Sequence, residues 1–158
     1  MATSKSNEIK IITTTTKDIL GGLGITADIA VEPEESGEER AYKISLSGEG
    51  LGVLIGYHGE TLNSMQIILS LITSKKLDRW VRLTLDAGDW REKRFESLSS
   101  MALRAAEKAV STGEEVALPA MSPSDRRLVH LALKDSPNIS SESSGEEGYR
   151  RVVIRPKS

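Results

Sequence analysis

The sequence contains no cysteine and few aromatic residues, namely one phenylalanine, three tyrosines and two tryptophans. Without cysteine there is no disulfide framework, no thiolate metal site and no cysteine nucleophile, which fits a reducing compartment. The scarcity of aromatic residues predicts an aliphatic core. No apolar run approaches the roughly 18 residues of a membrane helix, and the first residues have no signal-peptide segment. We therefore expect a cytoplasmic globular protein without membrane insertion.

The charges of the chain are segregated along its length. The net charge of -2 over 158 residues argues, at face value, against a polyanionic partner, but segregation makes the total misleading. Acidic residues crowd the segment 32–39, whereas basic residues cluster at 75–82 and in the last ten residues. The alternative interpretation of these clusters is ordinary charge scattered over a solvated surface. The basic residues of these two clusters are Lys75, Lys76, Arg79, Arg82, Arg150, Arg151, Arg155 and Lys157.

Hydrophobic periodicity divides the first half of the chain into helix, strand, strand, short helix, helix and strand. Helical spacing predicts helices over 8–20 and 61–73, and an apolar segment at 51–55 is the short helix. Alternating apolar and polar residues predict strands in ITADIAVEP, AYKISLSG and VRLTLDA. The segment ESGEER is the predicted turn of a hairpin between the first two strands.

The second half contains a further set of predicted helices and strands. Asp89 with Glu92 predicts a capping box at the start of a long helix. A short strand, EVALPAM, precedes a helix whose start is specified by Ser122 as N-cap and Pro123 at the first helical position. The segment NISSESSGEEGYRRVVIRP is typical of strand, turn and strand. We expect an α+β fold of two small modules with separate cores, joined near residues 86–90.

The segment Gly-Tyr-His-Gly at residues 56–59 lies between the short helix and the helix that follows it. Glycines allow close approach to backbone N–H groups, and a helix N-terminus behind them attracts anions. The segment is too short for a Walker A loop and lacks its Lys-Ser/Thr, and no strand feeds directly into it as in a dinucleotide site. The pattern by itself also fits a tight turn between two helices.

In its context, the stretch GEGLGVLIGYHGETLNSMQIIL resembles the type II KH domain, which has the order αββααβ and clamps about four single-stranded nucleotides. The closest family usually has two basic residues between the glycines, where this chain has a tyrosine and a histidine able to stack or hydrogen-bond. Aspartate at both glycines is expected to weaken RNA binding about tenfold or more and to leave the fold intact. The RNA-binding residues implied are Ile55, Gly56, Tyr57, His58, Gly59, Lys75 and Lys76.

Arg126 and His130 lie four residues apart, hence on one face of the predicted helix. The plain alternative is a solvated face on which Arg126 pairs with Asp125 or Glu146. The segments DRRLVHLAL and GEEGYRRVVI resemble the small domain defined by an Arg-x-x-x-His signature, which binds single-stranded DNA or RNA. This resemblance implies helices packed on a short three-stranded sheet. The site residues it implies are Arg126, His130, Arg150 and Arg151.

A KH domain at 8–87 followed by an Arg-x-x-x-His domain at 88–158 resembles the Jag family, the SpoIIIJ-associated proteins also called KhpB or EloR. Members often carry an additional Jag-N domain and linker, which we expect this chain to lack. The resemblance implies a cytoplasmic single-stranded RNA-binding regulator linked to cell elongation or envelope processes. Single-stranded DNA is a second candidate ligand.

Two other classes of function remain open. An adaptor would use the KH surface to pair with a second KH protein or with another copy of the chain, and the absence of a loop lysine favours this class. An enzyme has less support, because two distant histidines and no cysteine supply no metal cluster. The serine-rich SSESSG has no histidine nearby in sequence for a hydrolase triad. We expect no catalytic residue, no metal and no cofactor.

Overall fold

The computed structural model describes residues 4–35 and 40–157, so the predicted turn in ESGEER lies largely outside the described residues. Two compact units divide the chain at residues 91 and 92. The strands of each unit form a three-stranded sheet of their own. Within the described ranges, no helix combines the length and the apolar character needed to cross a membrane.

The first unit has the order αββααβ that the hydrophobic pattern and the KH resemblance predict, and this prediction is confirmed. Strand β2 is central in its sheet, with β1 antiparallel on one side and β3 parallel on the other. A parallel pair needs a crossover connection, and the two helices between β2 and β3 supply it. The elements are α1 (Lys5–Gly22), β1 (Asp28–Glu34), β2 (Ala41–Ser47), α2 (Gly52–Ile55), α3 (Glu60–Leu77) and β3 (Arg82–Ala87).

The core of the first unit lies between one face of this sheet and helices α1 and α3. On β2, alternate side chains face the helices and are almost completely buried, as the period of two requires. On α3, the helical spacing of the sequence buries Leu62, Met65 and Leu69. The core is aliphatic apart from Tyr42, as the composition predicts.

A buried carboxylate connects α1 to the sheet. Glu8 is fully buried, forms ion pairs with Arg40 and Arg79, and accepts a hydrogen bond from the Tyr42 hydroxyl. Burial, together with this bond to Glu8, raises the pKa of Tyr42 to about 12. Periodicity gave no sign of this cluster, because a glutamate at the start of a helix is usually a solvated first-turn residue.

Replacing Glu8 by glutamine is expected to destabilise the protein by about 2 kcal/mol, because two arginines lose their shared countercharge. The estimate is below that for a fully buried pair, since the side chains of Arg40 and Arg79 are 37% and 35% exposed. Urea unfolding measures the effect. Glu49→Gln is the control, an exposed glutamate of the same unit, and equal shifts for both variants would contradict a structural role for the buried cluster.

The second unit packs two helices on a short sheet, which confirms the architecture that the Arg-x-x-x-His resemblance implies. The sheet has the order β4-β6-β5, and both pairings are antiparallel. Small residues on α4, chiefly alanines, are buried against apolar residues of the last helix and the hairpin. The elements are α4 (Trp90–Thr112), whose first two residues belong to the first unit, β4 (Val116–Ala117), α5 (Pro123–Ala132), β5 (Ile139–Ser144) and β6 (Arg151–Pro156).

The starts of α4 and α5 differ in how well the sequence predicts them. Ser122 is the N-cap of α5 as predicted, since its side chain accepts a hydrogen bond from the Asp125 N–H at 3.2 Å. Asp89, in contrast, has φ of 57°, whereas an N-cap residue is normally extended. The carboxylate that accepts a hydrogen bond from the first turn of α4 belongs to Asp86, whose Oδ1 lies 3.2 Å from the backbone nitrogen of Arg91.

Candidate nucleic-acid interface

The Gly-Tyr-His-Gly loop makes a single 3-10 turn, Tyr57–Gly59, between α2 and α3. Three of its residues have positive φ, namely Gly56 at 69°, His58 at 50° and Gly59 at 82°. The rings of Tyr57 and His58 stack with centroids 4.0 Å apart and 24° between their planes, and Tyr57 is 73% exposed. The loop therefore presents a pair of stacked rings at the two positions where the KH family that the sequence resembles usually has basic side chains.

Both loop glycines lie too close to neighbouring side chains to accept a Cβ atom. A Cβ on Gly56 would lie 2.0 Å from Thr61 Oγ1, and one on Gly59 would lie 2.6 Å from Trp90 Nε1. Aspartates at these positions would displace Thr61 and Trp90, so our expectation that they leave the fold intact is wrong. Tyr57 and His58, whose side chains are exposed, are the better positions for testing the loop.

The loop leads directly into the N-terminus of α3, an 18-residue helix whose N-cap, Gly59, supplies no side-chain hydrogen bond. The first N–H groups of a helix are left without intrahelical partners, and they carry its positive dipole end. This end of α3 can thus attract a phosphate group. Glu60 in the first turn opposes that attraction with its own negative charge.

The structure does not bring Lys75 and Lys76 together with the loop. Both lie in the last turn of α3, about 24 Å along the helix axis from Gly59. Lys76 donates a hydrogen bond to Thr15 Oγ1 on α1 at 2.9 Å, and Arg79 of the same basic segment pairs with buried Glu8. A nucleotide bound at the loop therefore has no contact with this basic cluster, and we leave it out of the proposed site.

The outer face of α3 carries an apolar stripe that sequence analysis missed. Ile67, Ile68 and Leu71 are 59%, 51% and 57% exposed and lie at helical spacing on one face. Periodicity assigned a single apolar face to this helix, and Leu62, Met65 and Leu69 occupy it. The signal that could have revealed the stripe is the excess of apolar residues beyond that face.

In the second unit, His130 is held by two serines of strand β5. Its Nδ1 lies 2.7 Å from Ser141 Oγ and its Nε2 lies 3.0 Å from Ser143 Oγ. Arg150 reaches the same strand end, donating to the backbone oxygens of Ser143 at 3.2 Å and Gly145 at 3.1 Å. Serine hydroxyls therefore hold the His130 ring, and backbone carbonyls hold the Arg150 guanidinium, at the same end of β5.

Arg126 is connected to the same place through Met121. Its Nη1 donates to the Met121 carbonyl at 2.8 Å, and the Met121 N–H donates to the Arg150 carbonyl at 3.0 Å. The predicted alternative, a pair between Arg126 and Asp125, does not form, because Asp125 bonds to Arg94 at 2.7 Å. Across the described residues, neither Arg126 nor Arg150 has a carboxylate within ion-pair distance. We call Arg126, His130 and Arg150 the arginine cluster.

The register of the terminal hairpin separates Arg151 from this cluster. Ser143 pairs with Val152, and Ser144 pairs with Arg151. Residues that face each other across an antiparallel pair point to the same side of the sheet. The serines that hold His130 thus face one side, and Arg151 faces the other. The prediction that Arg150 and Arg151 act together is not supported by this geometry.

Sequence analysis also missed the serines and an aromatic residue beside the arginine cluster. Ser141 and Ser143 were considered only for catalysis, in which a histidine nearby in sequence was sought, although pairing of β5 with β6 brings them to His130. Tyr149 precedes Arg150 and is 72% exposed. Neither a carboxylate bonded to His130 nor a metal-binding group of His, Cys, Asp and Glu occurs in the part of the chain that the structure describes.

Comparison with known protein families finds a matching domain in each of the two units. Residues 13–85 match the KH domain of KhpA/KhpB, and residues 96–156 match the domain named for its Arg-x-x-x-His signature. The two matches lie in different units of the structure.

Several curated relatives are similar to this chain over most of its length, and each is named RNA-binding protein KhpB. The relative from Clostridium symbiosum is 35% identical over 141 residues, 89% of this chain and 63% of its own length. That from Lactiplantibacillus plantarum is 30% identical over 84% of this chain and 40% of its own length. The Bacillus subtilis protein is 29% identical over 83% of this chain and 62% of its own length. The chain thus spans about 40–63% of the length of these relatives. With a KhpA/KhpB-type KH domain followed by an Arg-x-x-x-His domain, it belongs to the KhpB (Jag) family.

Proposed function

We propose that this protein binds single-stranded RNA through two surfaces, the glycine loop and the arginine cluster. The observation that carries the proposal is the pair of arginines, Arg126 and Arg150, which are held by backbone carbonyls and have no carboxylate partner among the described residues. A guanidinium held in this way keeps other N–H donors for phosphate oxygens. The names of the KhpB relatives support RNA as the polyanion.

The side chains around the arginine cluster suit a single strand better than a duplex. Tyr149 is exposed next to Arg150 and offers a ring on which an unpaired base can stack. His130 has both ring nitrogens bonded to serine hydroxyls, so its ring orientation is fixed. In this proposal the arginines bind phosphates and Tyr149 stacks on a base. His130 supports them by holding α5 against β5.

At the glycine loop, the proposed contacts are backbone N–H groups and stacking rather than charge. The N-terminus of α3 has no side-chain cap, so its first N–H groups can bind a phosphate, and the Tyr57 and His58 rings are exposed beside it. Ile55 is half-buried at the end of α2 and supplies an apolar edge. Because this loop lacks basic side chains, we expect it to contribute less to salt dependence than the arginine cluster.

Family membership supports a finer proposal, that the chain is a cytoplasmic post-transcriptional regulator linked to cell elongation or envelope processes. Depletion of the protein in its host, with cell length measured and bound transcripts sequenced, tests this assignment. Unchanged cell shape would remove the elongation link and leave RNA binding in place.

A filter-binding titration tests the proposal directly. The full chain is titrated with a single-stranded RNA, a single-stranded DNA of the same sequence and a double-stranded RNA, each at two salt concentrations. We expect the single strands to bind more tightly than the duplex, with affinity falling as salt rises because phosphate contacts release counterions. Equal binding of all three, or no binding at low salt, would reject the proposal.

The exposed stripe on α3 favours a second candidate function, that of an adaptor which pairs with another KH protein or with a second copy of the chain. Three neighbouring apolar side chains that are each about half exposed are unusual on a surface helix and are typical of contact surfaces. This surface lies on α3 and does not include the loop residues. The two functions can therefore be separated by substitution.

If the stripe is a self-association surface, Ile67→Glu with Ile68→Glu should convert a dimer to a monomer and leave RNA affinity within about twofold. Sedimentation velocity over a range of protein concentrations measures the first effect, and filter binding measures the second. Ser64→Glu on the same helix face is the control for added charge. A wild-type protein that stays monomeric at high concentration would leave a different KH protein as the adaptor's partner, to be tested by mixing the two.

A further inference from the structure

Trp90, the first residue of α4, covers the last residue of the glycine loop. The Cβ position of Gly59 lies 2.6 Å from Trp90 Nε1 and 3.5 Å from two other ring atoms. Gly59 is buried and has φ of 82° and ψ of 9°, the left-handed conformation. The indole is half-buried and packs against the core of the first unit. It therefore lies against the residue at which the loop turns into α3.

Arg91, the next residue, holds the first turns of α3 to the edge of the sheet. Its guanidinium donates to Leu85 O at 2.8 Å, to Asn63 Oδ1 at 3.1 Å and to Gln66 Oε1 at 2.9 Å. Gln66 also accepts from the Leu85 N–H at 2.8 Å. Burial of this guanidinium lowers the pKa of Arg91, while the nearby Asp86 charge acts in the opposite direction. Arg91 and Gln66 thus satisfy both backbone groups of Leu85.

We propose that Trp90 is a positioning residue for nucleic-acid binding by the glycine loop, a role that rests on the proposed function. Glycine populates positive and negative φ with nearly equal ease, so Gly59 has little conformational preference of its own. The indole supplies the missing constraint, because it limits the space available to Gly59. As a result, the N–H groups of the loop and of the first turn of α3 keep a fixed orientation. Trp90 itself need not touch the RNA.

The two tryptophans of the chain make a matched pair for a spectroscopic test. Trp80 is 63% exposed and follows the C-terminus of α3, whereas Trp90 contacts the loop that precedes its N-terminus. A Trp80→Phe protein reports on Trp90 alone, and a Trp90→Phe protein reports on Trp80 alone. On addition of single-stranded oligouridylate, we expect the emission of Trp90 to change and that of Trp80 to stay constant. A response of Trp80 alone would move the RNA to the Lys75–Lys76 end and overturn the proposal.

Affinity and loop motion provide the second test. Trp90→Leu should weaken oligouridylate binding about tenfold, Trp90→Phe should weaken it less because it keeps a ring, and Trp80→Leu should leave it unchanged. Amide hydrogen exchange without RNA should become faster over residues 56–60 in Trp90→Leu, with the rest of the first unit unaffected. Faster exchange throughout that unit would identify a merely structural role and overturn the proposal, as would unchanged exchange in the loop.

These measurements separate the failure of this inference from the failure of the proposed function. If the wild-type chain binds oligouridylate and Trp90→Leu binds it equally well, RNA binding stands and the positioning role is rejected. If the wild-type chain does not bind it, the proposed RNA binding is rejected. Hydrogen exchange in the loop of the RNA-free variant then still decides whether Trp90 holds Gly59.

Discussion

Replacing both Arg126 and Arg150 by alanine should weaken the binding of single-stranded RNA about 100-fold, because each charge-assisted hydrogen bond to phosphate contributes about 1.5–3 kcal/mol. The slope of log affinity against log salt should become shallower by about 0.7 for each phosphate contact removed. Arg126→Lys and Arg150→Lys should keep most of the salt slope and lose part of the affinity, since lysine retains the charge without the planar fork. Filter binding over a series of salt concentrations measures both quantities.

The same strand provides two matched controls for this prediction. Arg155 is exposed and is neutralised by Glu115 at 2.8 Å and Glu142 at 2.6 Å, whereas Arg150 is half-buried and has no such partner among the described residues. Arg151 points to the opposite face of the sheet from the serines that hold His130. Arg155→Ala and Arg151→Ala should each change affinity by about twofold or less. If either matches Arg150→Ala, RNA binding reflects the general charge of the C-terminal strand and the arginine cluster is not its site.

Placing aspartate at both Tyr57 and His58 should weaken RNA binding about tenfold or more, because two negative charges would stand where the loop approaches phosphate. His58 has φ of 50°, a conformation that aspartate tolerates better than most residues, so the loop should keep its shape. Tyr57→Lys with His58→Arg should act in the opposite direction, with tighter binding and a salt slope steeper by about 0.7 for each new contact. Filter binding at several salt concentrations measures these changes.

Substitution at the other end of α3 is the control for the loop variants. Lys75→Ala with Lys76→Ala removes two positive charges from the last turn of the helix, about 24 Å from Gly59. We expect a change in affinity of about twofold or less, which general electrostatics alone accounts for. Unchanged binding by the double aspartate variant would move the first unit to the adaptor function, while the second unit would remain the RNA-binding surface.

Local sequence patterns predicted the secondary structure of both units well, since the rules behind them involve residues close along the chain. Alternation identified the strands of the first unit, and Ser122 with Pro123 located the start of α5. The start of α4 was predicted less well. Asp86, which accepts a hydrogen bond from the Arg91 N–H there, belongs to β3, and its capping role depends on how the strand meets the helix. Asp89 satisfies the sequence rule but has the wrong backbone conformation.

The sequence by itself determined which segments enter the proposed site, the glycine loop and the Arg-x-x-x-His helix, because both are short local motifs. Only the tertiary structure decided which other residues join them. The length of α3 separates Lys75 and Lys76 from the loop, and the pairing of β5 with β6 brings Ser141 and Ser143 to His130 while turning Arg151 away. Helix length, strand register and buried pairing act between residues far apart in sequence, so no local pattern contains them.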